Sequence, residues 1–373
     1  MPTQILSPRH GADLDAAREQ FHAPAGYLAA CTQGLPVRAT LAASRAELDA
    51  WERAETTPAL YSEAVDRARS AYARLVKVTA SEVAIGSQVS VLVSLVAASA
   101  PDGAEIVCVD GDFSSMVAPF IAQAHRGITV VHAPLEHLAE AIGPRTWLVA
   151  FSLVQSATGE VANTAAVLAT ARRHGARTLA DLTQAAGWLP VEASAFDATV
   201  CHAYKWLCAP RGSAFLTVGQ RMLGDLNPTQ AGWFAGDDPW ASCYGPEIRL
   251  ATDARRFDVS PAWPVWPGTA AALEFFASLD PVAVRDHDAG LGDELCARLG
   301  LPAHGQAIVT WPDRAGADLA ALTAAGLCAS GRAGRVRVAF HLWNTASDVD
   351  AITAAIETGI PRGTTMTLRN RGA

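Results

Sequence analysis

The chain has 373 residues, half of them hydrophobic and 18% charged, with a formal net charge of -8. That length supplies about two domains with a buried core, so disorder is not the default, and an acidic balance without a basic stripe argues against nucleic acid and anionic membranes as partners. No window approaches the roughly 18 to 20 consecutive apolar residues of a membrane span, and residues 1–13 lack the basic start and apolar core of a signal peptide, so a soluble, cytoplasmic protein is expected.

Residues 1–26 read as an N-terminal segment. Over 61–79, Ala64, Ala68, Ala71 and Leu75 recur at helical spacing among charged residues, which predicts an amphipathic helix. Short apolar runs at 82–85, 105–109, 129–132, 146–151, 177–181, 198–202 and 213–218 then alternate with helical stretches such as 90–99, 115–124 and 164–174. Strands spaced by helices form βαβ units. Residues 27–250 are therefore expected to be a large α/β domain around a mostly parallel, seven-stranded sheet. The Pro-, Trp- and Gly-rich stretch 227–267 has no sustained periodicity and reads as a long connection over the domain junction, where such loops line active sites. A smaller α+β domain at 251–360 follows from helices at 268–278 and 281–299, a strand at 307–311, a helix at 318–325, an apparent strand at 326–329, a strand at 335–341 and a last helix at 346–357. Residues 361–373 lack an apolar pattern and read as a mobile tail. Seven cysteines without paired spacing indicate neither a disulfide framework nor a metal site and are expected to be buried thiols.

Asp181 ends a predicted strand at the edge where open α/β sheets bind ligands. Lys205 comes 24 residues later, after another apolar run. Lys77 is the one other lysine, and a lysine set between strand residues and Trp206-Leu207 needs its charge satisfied or its pKa lowered by burial. A Schiff-base lysine is one such case. Taken singly, Asp181 reads as a helix N-cap and Lys205 as a surface residue; the pair with its surroundings favours chemistry.

Asp181-Leu182-Thr183-Gln184 and His202-Ala203-Tyr204-Lys205-Trp206-Leu207, followed by Pro210 and Gly212, resemble the class V aminotransferase family of fold type I pyridoxal 5'-phosphate (PLP) enzymes, which includes cysteine desulfurases, isopenicillin N epimerases and kynureninases. The resemblance runs from about Tyr27 to Ile356 and is most specific at the lysine block. It implies PLP carried on Lys205 as an internal aldimine, Asp181 holding the proton of the ring nitrogen, and Gln184 donating to the 3'-oxygen. It places the phosphate at Gly86-Ser87-Gln88-Val89-Ser90, where a helix N-terminus offers backbone N–H groups, with His202 and Tyr204 as further contacts. Ser260 falls where relatives carry a Gly-Thr that reaches the phosphate of the neighbouring subunit. Phe113 stands where the family stacks an aromatic ring on the pyridine, and Ser156 where it has a polar residue near the cofactor oxygen or substrate. Arg337, with Asn344-Thr345 starting seven positions later, takes the place of the arginine that pairs with the substrate carboxylate. On the residues alone, 86–90 is equally a capped helix start and Phe113 a core residue, while one of Arg335 and Arg337, on the same face of a strand, is a surface ion pair.

Cysteine desulfurases need a nucleophilic cysteine shortly before this arginine, and 331–334 contains none. Cys328 lies in the apparent strand and is expected to be buried, so persulfide chemistry is disfavoured. The resemblance leaves a lyase (β-elimination, including C–S cleavage), an aminotransferase or an epimerase, all acting on an amino acid. By analogy the lyase is favoured, with Lys205 as the proton carrier because Phe113 has none to give. A catalytically silent PLP-binding protein is the remote alternative. The Trp-rich stretch 233–266 carries enough aromatic surface to predict a homodimer.

Overall fold

The computed structural model describes residues 12–245 and 248–359. Runs of apolar, often β-branched residues become the strands β1 (Val83–Gly86), β2 (Glu105–Val109), β3 (Thr129–Ala133), β4 (Thr146–Ser152), β5 (Arg177–Asp181), β6 (Ala198–His202) and β7 (Ala214–Val218). They form one sheet in the order β1-β7-β6-β5-β4-β2-β3, in which β7 alone runs against its neighbours. This is the mostly parallel, seven-stranded sheet expected. Both faces are covered, which is why its strands read as unbroken apolar runs.

The helices are α1 (Ala12–Arg18), α2 (Arg38–Glu52), α3 (Pro58–Leu75), α4 (Val89–Ser99), α5 (Ser114–Ile121), α6 (Leu138–Ala141), α7 (Thr164–His174), α8 (Gln220–Leu223), α9 (Trp266–Phe276), α10 (Pro281–Leu299), α11 (Ala317–Ala324) and α12 (Ala346–Gly359). Their ends follow local chemistry. Thr57 caps α3 ahead of Pro58, and Asn163 caps α7, which stops at Gly175 with φ 75°. Alternate strand residues sort into two layers. Ile85, Val107, Phe151 and Phe215 pack with Val65, Ala68 and Tyr72 of α3 and with α9, whereas Ala84, Ile106, Leu148 and Leu216 pack with Leu92 and Val93 of α4 and Met116 and Phe120 of α5.

A second sheet, β8 (Ile308–Pro312), β9 (Ser330–Arg332) and β10 (Arg335–Ala339), is antiparallel in the order β8-β10-β9. Its core joins Val309, Val336, Val338 and Phe340 to Leu295, Leu322 and Ile352 from α10, α11 and α12. Tyr27 and Ala29 bridge to Cys328 and Ala339, so the chain before α2 adds to this sheet and then passes under the lysine: Gly34 N donates to Tyr204 O at 2.9 Å.

Two local expectations are corrected. The strand expected at 326–329 is a turn at Gly326 (φ 78°) followed by an isolated bridge at Cys328, and β9 starts only at Ser330. Cys328 is exposed rather than buried. Helix α2 is not among the elements expected from the sequence; its buried residues are Thr40 and Glu47. Among its described residues the loop 227–267 contains three 3-10 turns, at Trp233–Ala235, Ala254–Phe257 and Trp263–Val265, and is fastened to β1 by Asp258, which accepts from Ile85 N at 2.8 Å and pairs with the buried Arg69 at 2.7 Å. The tail expected at 361–373 lies outside the described residues. Among the described residues no helix is long and apolar enough to cross a membrane, and no group of three or more His, Cys, Asp or Glu is placed to hold a metal ion.

Candidate active site

The C-terminal ends of β4, β5 and β6 open into a cavity of about 120 Å³, walled on the other side by the starts of α4 and α5. This is the ligand-binding edge of a parallel sheet. Asp181, the last residue of β5, is 5% exposed, and its Oδ1 accepts from Thr183 N at 2.8 Å. Burial pushes its carboxyl up to about 6, with the bonds to Thr183 and the charge of Lys205 pulling the other way. Lys205 follows β6 and is 6% exposed. Burial lowers its ammonium to about 8 against the upward pull of Asp181. Its Nζ stands 5.3 Å from the ring centre of Phe113 and 5.8 Å from that of Tyr204.

The opposite wall is the first turn of α4. No side chain caps this helix, so its leading N–H groups face the cavity beside Gln88, Val89 and Ser90. His202 lines the same space, its Nε2 buried without a hydrogen-bond partner. Burial, with Arg211 and Lys205 nearby, holds it down to about 4, so the imidazole is neutral at pH 7. The Arg211 guanidinium lies 4.8 Å over the Tyr204 ring. The site thus has a basic end, made of a helix terminus, His202 and Arg211, and an acidic floor at Asp181.

Of the residues expected from the sequence, Gln88, Val89, Phe113, Ser156, Asp181, Gln184, His202, Tyr204 and Lys205 line this one cavity. Ser87 is half-buried beside it, and Ser260 is exposed and outside the cavity of its own chain. Gln184 has its amide engaged: Nε2 donates to Cys31 O at 2.9 Å and to Ser156 Oγ at 3.2 Å, while Oε1 accepts from Trp206 Nε1 at 2.8 Å. Arg337 is 1% exposed and sits one hydroxyl behind the cavity wall. Its Nη1 donates to Ser156 O and Oγ, Nη2 to Thr32 Oγ1 at 2.9 Å, and Nε to Ser330 Oγ at 3.1 Å. Arg335 turns to Thr310 of β8 instead.

Sequence reasoning missed Ser115, Ser152, Thr183 and Arg211 on the cavity wall. It also missed Asp112, which holds the Phe113 loop to β4 by accepting from Ser152 N at 2.7 Å and from Ser152 Oγ at 2.5 Å. Arg211 carried a usable signal, standing between Pro210 and Gly212 of the motif. Cys31 and Thr32, which meet Gln184 and Arg337, had none, because those contacts span 153 and 305 residues of chain.

Residues 51–327 match the family described as aminotransferase class-V. The chain is 32% identical over 247 residues to isopenicillin N epimerase of Streptomyces clavuligerus, a match covering 59% of this chain and 60% of that enzyme, so it spans less than two thirds of that relative. It is 30% identical over 361 residues to kynureninase of Salinispora tropica, covering 84% of this chain and 83% of the relative. Among solved structures, a C-DES mutant with glycine covalently linked to the PLP cofactor superposes with a TM-score of 0.82 at 23% identity, over 91% of this chain and 98% of that one.

Proposed function

The chain belongs to the aminotransferase class-V family of PLP enzymes, and on that premise we propose that it carries PLP on Lys205 and acts as a lyase, eliminating a β-substituent from an amino acid. The observation that carries the first part is the pairing of a buried, pKa-lowered Lys205 with the buried Asp181 in one cavity. The cavity fits the cofactor independently of its relatives. The unpartnered Nε2 of His202 and the uncapped start of α4 call for an anion, the carboxylate at the floor calls for a cationic ring nitrogen, and the Phe113 ring offers a flat apolar face. Gln88, Val89, Ser90, His202, Tyr204 and Arg211 would hold the phosphate and Asp181 the ring nitrogen. Ser156 would donate to an oxygen substituent of the ring, and Gln184 would do so by giving up its bond to Ser156 Oγ.

When bound, PLP supplies electron withdrawal from the bonds at the amino acid Cα. Asp181 has a reason to serve it, since a cation beside a carboxylate held up to about 6 by burial would bring it back to the charged form. Lys205, lowered to about 8, is in part a free amine at neutral pH and can take a proton from Cα and hand it on. Phe113 orients without exchanging protons. Arg337 answers the substrate carboxylate, whose arrival exchanges the hydroxyl contacts of Ser156 and Thr32 for a charged pair.

The case against persulfide transfer rests on the hairpin before Arg337, and among the remaining reactions the lyase is preferred by analogy. β9 and β10 are joined by Ala333 (φ 48°) and Gly334 (φ 71°), a two-residue turn with neither the length nor the cysteine for a mobile sulfur-carrying arm. Incubation with β-substituted amino acids should yield keto acid and ammonia in equal amounts without an added keto-acid acceptor. Dependence on such an acceptor would make the protein an aminotransferase, and loss of optical activity alone an epimerase. The working form is proposed to be a cytoplasmic homodimer. Leu48, Trp51, Leu60 and Trp240 are 51 to 62% exposed on the α2 and α3 side, and Ser260 would reach the partner's phosphate. Sedimentation at the monomer mass would contradict this.

A further inference from the structure

A polar chain that runs inward from the half-buried Arg18 to a point behind the lysine is not used by this chemistry. Arg18 Nη2 lies 3.1 Å from His287 Nε2, His287 Nδ1 lies 2.8 Å from Asp288 Oδ1, Asp288 Oδ2 lies 3.2 Å from His341 Nδ1, and His341 Nε2 lies 2.9 Å from Trp206 O. Asp288 and His341 are fully buried. The donors can be assigned from chemistry. A guanidinium only donates, so His287 Nε2 accepts and its Nδ1–H points to Asp288; a carbonyl only accepts, so His341 Nε2 carries a hydrogen aimed at Trp206 O. The His341 ring is held in place, stacked on Phe276 at 5.6 Å and flanked by Trp343 at 4.6 Å and Trp206 at 5.3 Å.

Three successive carbonyls at the lysine are anchored. Tyr204 O accepts from Gly34 N at 2.9 Å and Lys205 O from Cys208 N at 3.1 Å, both by backbone. Trp206 O depends on His341, with Cys208 Sγ adding a contact at 3.8 Å. Asp288, His341 and Cys208, whose Sγ is 3.7 Å from His341 Nε2, have the composition of a nucleophilic triad. Burial excludes that use: it raises the Cys208 thiol well above its ordinary range, and the Nε2 hydrogen is already directed at Trp206 O.

We infer that His341, oriented by Asp288, is a positioning residue for Lys205, fixing through the Trp206 carbonyl how deeply the lysine side chain sits in the cavity. Its catalytic meaning rests on the proposed role of Lys205. The chain has two lysines, the exposed Lys77 and the buried Lys205, so the full chain labelled with 13Cε-lysine, free of PLP, gives two signals to titrate. In the wild type the Lys205 signal is expected to titrate near 8. His341→Leu fills the same apolar surroundings without the donor. Burial is the largest influence on this value and lowers it, against Asp181 and Cys31, which raise it, while Arg337 and Arg332 lower it further, so a lysine released toward water should titrate about one pH unit or more higher. His341→Gln, whose amide N–H reaches the position of Nε2, should restore the wild-type midpoint. A midpoint in His341→Leu equal to that of the wild type would overturn the inference, while a wild-type Lys205 titrating near 10.5 would overturn it together with the proposed active site. Should His341→Leu not fold, neutron diffraction from the wild type decides: a deuteron on His341 Nε2 directed at Trp206 O supports the inference, and a bare Nε2 overturns it.

Discussion

Replacing Lys205 by methionine should raise the stability of the PLP-free protein at neutral pH. Burial lowers the ammonium from 10.5 to about 8, and at about 1.4 kcal/mol per pH unit the charged lysine costs the fold roughly 3 kcal/mol. Lys205 is 6% exposed, so solvent screening removes little of this. Its charge also gains from the Phe113 and Tyr204 rings at 5.3 and 5.8 Å, an interaction worth about 1 kcal/mol that methionine forgoes. Methionine keeps the packing, so the net gain is roughly 2 kcal/mol, or about 3 °C in Tm for a chain of this length at ~2.1 cal/mol/K per residue. The pH dependence has a fixed sign. Below pH 8 the lysine is protonated in both states and the penalty is complete. Between 8 and 10.5 the folded chain has lost the proton that the unfolded chain still binds, so the penalty shrinks, and above 10.5 it is gone. Thermal unfolding of the two proteins from pH 7 to 10.5 should therefore show a gap that is constant up to about pH 8 and then closes. A variant no more stable than the wild type at pH 7, or a gap that persists at pH 10.5, would refute the reasoning.

Arg337→Ala should lower kcat/KM roughly thirty- to a thousand-fold, about 2 to 4 kcal/mol, while PLP stays bound; Arg335→Ala, whose guanidinium faces Thr310, should stay near wild type, and the reverse order would reassign the carboxylate site. Arg69→Met leaves Asp258, 1% exposed, without its ion-pair partner and should cost about 3 to 5 kcal/mol in urea denaturation. A loss under about 1 kcal/mol would show that the pair does not hold the loop to β1. Gly34→Ala places a Cβ 1.9 Å from Lys205 O and 2.8 Å from Cys208 Sγ, so the lysine loop must move; PLP uptake followed by absorbance should weaken at least about tenfold, and unchanged uptake would contradict the tight seat of the loop.

The large sheet was legible because strands buried on both faces leave continuous apolar runs, and all seven lie within two residues of where those runs end. Asp181 and Lys205 stood out for the same physical reason, a charge at the end of an apolar strand. What escaped depends on distant packing. Helix α2 buries few of its own residues. Thr32 reaches Arg337 across 305 residues, and Cys328 points outward because its strand-like stretch is a single bridge to Tyr27. The helix after β1 begins at Val89, one residue earlier than the expected 90–99, which leaves Gln88 at the N-cap and Ser90 on the cavity wall.

The central claim is that Lys205 carries PLP in this cavity. The direct measurement is the visible absorption spectrum of the purified full chain after addition of PLP and removal of the excess, beside that of Lys205→Ala. A yellow wild type whose visible band is missing from the variant is the predicted result. A wild type that stays colourless, or a band of equal strength in Lys205→Ala, would contradict the account.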